Sequence, residues 1–281
     1  MNELNEENIR MLVSDYDGTL ALDNGLVSEF SRNVFESLGT KNLIRVIATG
    51  RSVFSCQQVL PADFPVDYIV FSSGVGVIDW KRKIIINESH LMSEDVDLIE
   101  SYLLRHNYDF MIQYPVPENH YFYMHSSGKE NSDFYRRFSH YSNYGLKLPA
   151  LRPNTATQFI IICEQNCGQF DKVKTDLSGY KVVRATSPLD NKSMWIEIFP
   201  KHVSKATGIS FLCDRYGIKN EETIVFGNDY NDSDMLSWAK NVYVVENAVE
   251  ELKVLYSVIG SNNDDGVANF ANDIFNLGIK F

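Results

Sequence analysis

Short apolar runs recur along the sequence, and each ends in a polar or glycine-rich turn. The clearest of them run into Ser14-Asp15, Thr49-Gly50-Arg51, Ser72-Ser73-Gly74 and Gly227-Asn228-Asp229. Residues 28–38 and 204–216 lie between such runs and have apolar residues at helical spacing. Strands that are apolar on both faces and alternate with helices are typical of a parallel sheet, so the pattern predicts an α/β fold.

The middle of the chain, residues 88–198, has a different pattern. It predicts helices at 93–106, 132–140 and 169–177, and strands at 110–114, 121–125, 158–163, 181–185 and 194–199. This order, roughly a helix with paired strands repeated twice, suits an antiparallel sheet with helices on one face. We therefore predict an α+β domain at 88–198, inserted into an α/β domain formed by 1–87 and 199–281.

Composition narrows the range of partners and compartments. The 281 residues carry a formal net charge of −11, which disfavours binding to nucleic acid or to anionic membranes. No apolar run reaches the length of a membrane span, and the first residues are acidic where a signal peptide is basic. The four cysteines form no Cys-x-x-Cys pair, so free thiols in a reducing compartment are expected. We expect a cytoplasmic protein with a small-molecule partner, and the oligomeric state stays open.

The most informative motif is the run Asp15-Tyr16-Asp17-Gly18-Thr19-Leu20, directly after the first apolar run. Open α/β sheets hold their ligands at the carboxyl ends of their strands, where Asp15 and Asp17 can converge on one hard cation such as Mg²⁺. With a phosphate ester at the metal, one carboxylate can attack phosphorus and the other can protonate the leaving oxygen. The alternative is a capped turn, with Gly18 at positive φ and Thr19 as the cap.

Three further groups of residues are weaker evidence of function when each is taken alone. Ala48-Thr49-Gly50-Arg51 can cradle a phosphate before a helix, or form an ordinary capped turn. Lys205 stands at the start of a predicted helix, where the helix dipole disfavours a cation unless an anion faces it. The run from Gly227 to Leu236 is rich in acidic and amide oxygens, which suits either a metal site or an Asx-rich turn.

Taken in order, these motifs resemble those of the haloacid dehalogenase-like hydrolases, in particular the Cof-type sugar-phosphate phosphatases. The resemblance covers essentially the whole chain. It implies a Rossmann-like core at 1–87 and 199–281 and an α+β cap at 88–198 that selects the substrate. The stretch from Ser73 to Ile78 also resembles the segment that precedes the cap in these enzymes.

The resemblance also implies a role for each motif residue. Asp15 is the nucleophile that becomes an aspartyl-phosphate, and Asp17 is the general acid and then the base. The expected phosphate- and substrate-binding residues are Thr49, Gly50, Arg51, Lys205 and Asn231. The expected Mg²⁺ ligands are the Asp15 carboxylate, the Asp17 main-chain carbonyl and Asn228, with Asp229 or Asp232 as alternatives.

Two positions depart from the family pattern. Asn228 stands where the family most often has aspartate, so it offers Mg²⁺ an oxygen without a charge, and Asp229 follows it. Ala206 stands where a glycine commonly follows the lysine, a change that a helix tolerates well. Neither departure removes Asp15 or Asp17.

The sequence therefore predicts a Mg²⁺-dependent phosphatase acting on a small phosphorylated metabolite, of which a sugar phosphate is one candidate. A phosphomutase or phosphotransferase with the same aspartyl-phosphate chemistry is an alternative. A non-catalytic sensor of a phosphorylated metabolite is another, although retention of Asp15 and Asp17 argues against it.

Overall fold

The computed structural model describes residues 6–142, 151–163, 168–187, 189–190 and 192–280. The chain divides into two compact units, the first formed by Met1–Asn87 with Ser204–Phe281 and the second by Glu88–Val203. The second unit thus continues through the turn that follows its last strand, five residues beyond the predicted limit at 198. In the described part of the chain, no helix has both the length and the apolar character needed to cross a membrane.

The strands are short and most are strongly buried. In chain order they are β1 (Met11–Ser14), β2 (Ile44–Ala48), β3 (Tyr68–Phe71), β4 (Gly76–Asp79), β5 (Ile84–Glu88), β6 (Phe110–Gln113), β7 (Phe122–His125), β8 (Gln158–Cys163), β9 (Lys181–Thr186), β10 (Met194–Phe199), β11 (Thr223–Gly227), β12 (Asn241–Val245) and β13 (Ser257–Ile259).

The helices alternate with the strands along most of the chain. They are α1 (Glu29–Thr40), α2 (Val53–Val59), α3 (Ser93–Arg105), α4 (Ser132–Ser142), α5 (Gln169–Asp176), α6 (Lys205–Tyr216), α7 (Ser233–Trp238), α8 (Glu250–Leu255) and α9 (Gly266–Ile274).

The first unit is built on an eight-stranded sheet in the order β13-β12-β11-β1-β2-β3-β4-β5. The pairs that join β13 through β3 are parallel, and β4 pairs with β3 in the antiparallel sense. Strand β1 has β2 on one side and β11 on the other, so the carboxyl ends of three buried parallel strands lie side by side. The chain passes from β1 to β2 on one side of β1, and β11 later pairs on the other side, so the strand order reverses at β1. Open α/β sheets bind ligands at the carboxyl ends of the strands where such a reversal occurs.

The second unit is a five-stranded sheet in the order β7-β6-β8-β10-β9, with antiparallel pairing throughout. The predicted α/β core with an inserted α+β unit is confirmed. The expectation that helices cover one face of the inserted sheet is wrong. Helices α3 and α5 pack on one face, whereas Phe134 of α4 belongs to a separate apolar cluster on the other, beside Met111 and Trp195. Strands such as β8 are apolar on both faces, and both faces therefore need a cover.

Local signals explain where helices α1 and α6 begin. Ser28 caps α1 by accepting a hydrogen bond from the Ser31 amide. Ser204 caps α6 by accepting one from the Thr207 amide, and the Thr207 hydroxyl accepts one from the Ser204 amide. This box places Lys205 at the first position of α6, with its side chain in the interior of the unit.

Candidate active site

The four predicted motifs lie in the first unit, three of them directly after strands and one at the start of a helix. Asp15 follows β1, Thr49 follows β2, Asn228 follows β11, and Lys205 opens α6. The sequence separates these residues by up to 213 positions. The parallel sheet brings Asp15, Thr49 and Asn228 to one edge, and the Lys205 side chain reaches that edge from the start of α6.

A buried lysine joins two carboxylates at the centre of the site. Lys205 Nζ donates hydrogen bonds to Asp15 Oδ1 and to Asp232 Oδ1, each at 2.6 Å, and all three side chains are buried. Burial opposes the charge on Lys205, but the two carboxylates hold its pKa above the ordinary value. The position of Lys205 at a helix start predicted an anion beside it. Asp15 and Asp232 supply that negative charge.

The ionised form of Asp15 is destabilised by its surroundings in the protein. Burial is the largest cause and the charge of Asp232 the next, and together they raise the pKa of Asp15 to about 7 although Lys205 lowers it. A carboxylate in this state gains from any further positive charge placed beside it.

Asp232 also shapes the loop after β11. Its Oδ2 accepts hydrogen bonds from the backbone amides of Asn228 (2.8 Å) and Asp229 (3.2 Å). A Cβ at Gly227 would lie 2.7 Å from Asp232 Oδ2, so only glycine fits there. Asp229 in turn accepts a hydrogen bond from the Tyr230 amide. Both acids of this loop are thus engaged with its own backbone.

Asp17 forms an ion pair with Arg51. Arg51 Nε donates to Asp17 Oδ2 at 2.8 Å and Arg51 Nη2 to Asp17 Oδ1 at 2.6 Å, while Nη1 donates to Ser55 Oγ. Although burial lowers it, the pKa of Arg51 is raised overall by its bonds to Asp17. The resemblance suggested that Arg51 contacts phosphate, and in this structure its hydrogen bonds go to Asp17 and Ser55.

Three loops meet at Gly50. A Cβ built on Gly50 would lie 3.6 Å from Ser73 Oγ and 3.8 Å from Asn231 Nδ2, which is ordinary contact distance. Thr49 is buried, and its Oγ1 accepts a hydrogen bond from the Arg51 amide. Ser73 was not among the predicted site residues. It follows β3 as Thr49 follows β2, so its place at the carboxyl end of a strand was the available signal.

Asn228 lies against the loop that carries both predicted catalytic aspartates. A Cβ on Gly18, whose φ is +71°, would lie 2.5 Å from Asn228 Nδ2. The side chain of Asn228 therefore contacts the residue that follows Asp17. The structure thus brings the predicted residues of all four motifs into one connected group.

The oxygen donors of this group fit a hard divalent cation. Among the described residues, no three or more His, Cys, Asp or Glu side chains are arranged to hold a metal. The ligand set implied by the resemblance needs no such group, because it consists of one carboxylate, one main-chain carbonyl and one amide. The charges of the ion-paired groups agree with this, since three carboxylates (Asp15, Asp17 and Asp232) pair with two cations (Lys205 and Arg51) and give a net charge of −1 when all are ionised.

Comparison with known proteins places this fold and this site in a family. A sequence model of the haloacid dehalogenase-like hydrolases matches residues 12–270. A Buchnera aphidicola protein that is provisionally named a phosphatase is 26% identical over 276 residues, covering 97% of this chain and 98% of that protein.

Solved structures agree over nearly the whole length. TM0651 from Thermotoga maritima is 25% identical with a TM-score of 0.69, covering 94% of this chain and 97% of that one. The haloacid dehalogenase subclass IIB sugar phosphatase BT4131 is 19% identical and shares the fold with a TM-score of 0.74, covering 95% and 99%. The chain therefore belongs to the haloacid dehalogenase-like hydrolases, as a phosphatase of that family.

Proposed function

We propose that this phosphatase hydrolyses the phosphate monoester of a small hydroxylated metabolite, of the sugar-phosphate class, through an aspartyl-phosphate on Asp15. The observation that carries the proposal is the buried Lys205 between Asp15 and Asp232, next to the Asp17–Arg51 pair. The substrate class is supported by the fold shared with the sugar phosphatase BT4131. It is also supported by 34% identity over 83 residues, 29% of this chain, to a Bacillus subtilis 5-amino-6-(5-phospho-D-ribitylamino)uracil phosphatase.

In the first step, an Asp15 carboxylate oxygen forms a bond to phosphorus while the ester oxygen leaves and takes a proton from Asp17. In the second, Asp17 takes a proton from a water molecule whose oxygen attacks phosphorus, and inorganic phosphate leaves from Asp15. Arg51 holds the Asp17 carboxyl group in place through both steps.

The phosphoryl group needs donors that do not move during the reaction. An ammonium group has three N–H bonds, and Lys205 directs two of them to carboxylates. We assign its third, together with Thr49, the Gly50 backbone and Asn231, to the phosphoryl oxygens. Gly50 suits this role because it carries no side chain, so a phosphoryl oxygen can approach its backbone closely.

The residues proposed to hold Mg²⁺ are the Asp15 carboxylate, the Asp17 main-chain carbonyl and Asn228. Bound there, Mg²⁺ supplies positive charge that favours ionised Asp15 and neutralises phosphoryl oxygens. Asp232 and Asp229 stay second choices, because their carboxylates already accept hydrogen bonds from the loop after β11.

The remaining parts of the proposal concern selection and location. We assign substrate selection to the second unit, residues 88–203, as the cap of the family. We also place the enzyme in the cytoplasm, which agrees with the free thiols of Cys56, Cys163 and Cys213.

The test is phosphate release from a panel of sugar phosphates, nucleotides, pyridoxal phosphate and p-nitrophenyl phosphate, with Mg²⁺ or with EDTA. The control is Asp15→Asn, whose fold is checked by circular dichroism. We expect release that requires metal and is abolished by the substitution. Transfer of phosphate to a second sugar without release would favour a mutase. Ligand binding with neither release nor transfer would favour a sensor.

A further inference from the structure

The turn between β12 and α8, residues 246–249, contacts both loops that carry the proposed metal ligands. Asn247 Nδ2 donates a hydrogen bond to the Gly18 carbonyl at 2.7 Å. Two residues later, the Val249 amide donates to the Asn228 carbonyl at 2.9 Å. One short turn is therefore bonded to the loop after β1 and to the loop after β11.

The loop after β1 is irregular at its centre. Asp17 and Gly18 have non-helical φ and ψ angles within the turn Tyr16–Leu20, and Gly18 is in the left-handed region. The Gly18 carbonyl points away from the local turn to reach Asn247. That bond fixes the Gly18–Thr19 peptide unit, which is next in the chain to the Asp17–Gly18 unit whose carbonyl is one of the proposed metal ligands.

Asn247 is itself held in place. Its Oδ1 accepts a hydrogen bond from the Asn262 amide at 3.0 Å. The Asn262 side chain is buried, and its Nδ2 donates to the Ala21 carbonyl and to Asp23 Oδ1, each at 3.0 Å. The loop after β1 is thus attached at Gly18 and again at Ala21 to the same pair of asparagines.

We propose that Asn247 is a positioning residue that sets the distance between the Asp15–Gly18 loop and the Asn228 loop, and with it the spacing of the metal ligands. This inference rests on the proposed metal site. Asn247 is neither a metal ligand nor a substrate contact, and it acts through the Gly18 peptide. Residues that orient metal ligands in this way commonly change metal affinity by about 10- to 100-fold when they are removed.

The chain offers a matched control in Asn263. Its side chain also makes two hydrogen bonds to the loop after β1, from Nδ2 to Asp23 Oδ2 at 2.8 Å and from the Asp23 amide to its Oδ1 at 3.0 Å. Those bonds lie eight residues from Asp15. Asn247→Ala and Asn263→Ala therefore each remove a side-chain amide that hydrogen-bonds to the loop after β1. Asn247 binds that loop at Gly18, beside Asp17, and Asn263 binds it at Asp23.

The experiment measures Mn²⁺ binding without substrate, by the loss of the free Mn²⁺ electron paramagnetic resonance signal, because Mn²⁺ binds oxygen sites as Mg²⁺ does. We expect Asn247→Ala to weaken Mn²⁺ binding about tenfold or more and Asn263→Ala to change it less than twofold, with similar losses in Tm. The Mg²⁺ concentration that gives half-maximal hydrolysis of p-nitrophenyl phosphate should rise in parallel.

Mn²⁺ binding by Asn247→Asp provides a second test if the alanine variant folds poorly. The aspartate variant keeps the acceptor for the Asn262 amide, loses the donor to Gly18, and adds a negative charge that by itself favours a cation. Weaker Mn²⁺ binding by this variant thus identifies the lost bond to Gly18 as the cause.

Equal Mn²⁺ affinities for Asn247→Ala and Asn263→Ala would overturn the inference, as would unchanged or tighter binding by Asn247→Asp. In either case, metal-dependent activity of the wild-type protein would leave the proposed function standing. Absence of Mn²⁺ binding by the wild-type protein would overturn both.

Discussion

Replacing Asp15 by asparagine should make the metal-free protein more stable at neutral pH. The folded-state pKa of Asp15 is raised from its ordinary 3.8 to about 7 by burial and by Asp232. A group whose pKa is higher in the folded than in the unfolded state favours folding below the unfolded pKa, and that stability is lost as the pH rises through the folded pKa. Stability should therefore fall between about pH 4 and pH 7.

The size of the effect follows from the two pKa values. At about 1.4 kcal/mol per pKa unit, the difference between 3.8 and about 7 corresponds to roughly 4 kcal/mol once the pH is above 7. The same linkage gives roughly 2 kcal/mol at pH 5, where the unfolded chain is ionised and the folded one is not. The asparagine side chain of the variant would stay neutral throughout, and its amide oxygen could still accept the Lys205 hydrogen bond.

The assay is urea unfolding followed by circular dichroism, at pH 5 to 8.5 in EDTA, for the wild-type protein and Asp15→Asn. Taking the difference between the two proteins removes the contributions of the other acids. The advantage of the variant should grow from roughly 2 to roughly 4 kcal/mol across this range. Mg²⁺ should narrow it at pH 8, because a cation that binds the folded wild-type protein stabilises it by mass action.

Two results would refute this reasoning. One is a difference in unfolding free energy that stays constant with pH. The other is a variant less stable than the wild-type protein at pH 8 in EDTA, which would mean that the Lys205 pair stabilises ionised Asp15 more than burial and Asp232 destabilise it.

Four other substitutions test the site and the backbone of the first unit. Asn228→Asp adds a charge beside the proposed metal and should lower the half-saturating Mg²⁺ concentration on the order of tenfold in a metal titration of activity; a rise would contradict its place as a ligand. Gly74→Ala, with φ +102° and a Cβ 1.9 Å from a backbone carbonyl, should lose about 3 kcal/mol or more in urea unfolding, whereas Gly25→Ala, with φ +79° and open space, should lose about 1 kcal/mol; equal losses would show that the loop adapts. Arg51→Lys replaces a two-pronged contact to Asp17 by a point charge and should lower kcat on the order of tenfold, while an unchanged kcat would remove Arg51 from the positioning of Asp17.

Apolar periodicity was enough to predict most of the elements. The predicted helix at 204–216 and the strands at 158–163 and 194–199 agree with α6, β8 and β10 to within a residue. Strands β4, β5 and β13 were not predicted. β13 has only three residues and two of them are exposed, so it lacks the apolar run that marks a buried strand. Its pairing with β12 makes it a strand, and the sequence pattern does not carry that information.

The site, like the fold, could be predicted only in part from the sequence. Asp15, Asp17 and the loop after β11 stand out because acidic residues follow buried strands, and the sheet explains why they meet. The partners of each group depend on tertiary structure. Lys205 reaches Asp232 over 27 residues and Asp15 over 190, and Asn247 reaches Gly18 over 229. A side-chain bond to a distant carbonyl leaves no periodic trace in a sequence, and for that reason Asn247 could be found only in the structure.

The charge balance of the site gives a physical reason for asparagine at position 228. With aspartate there, four carboxylates would face Lys205 and Arg51 in the metal-free protein, and Asp15, already destabilised by burial and by Asp232, would gain another negative neighbour. Asn228 keeps an oxygen at the site without that repulsion, so the metal-free fold loses less stability and the attraction for Mg²⁺ is weaker. Because Asn228 contributes no charge, the positions of the proposed ligands must supply more of the affinity for Mg²⁺. This places more weight on the turn that holds Gly18 and Asn228 at a fixed separation.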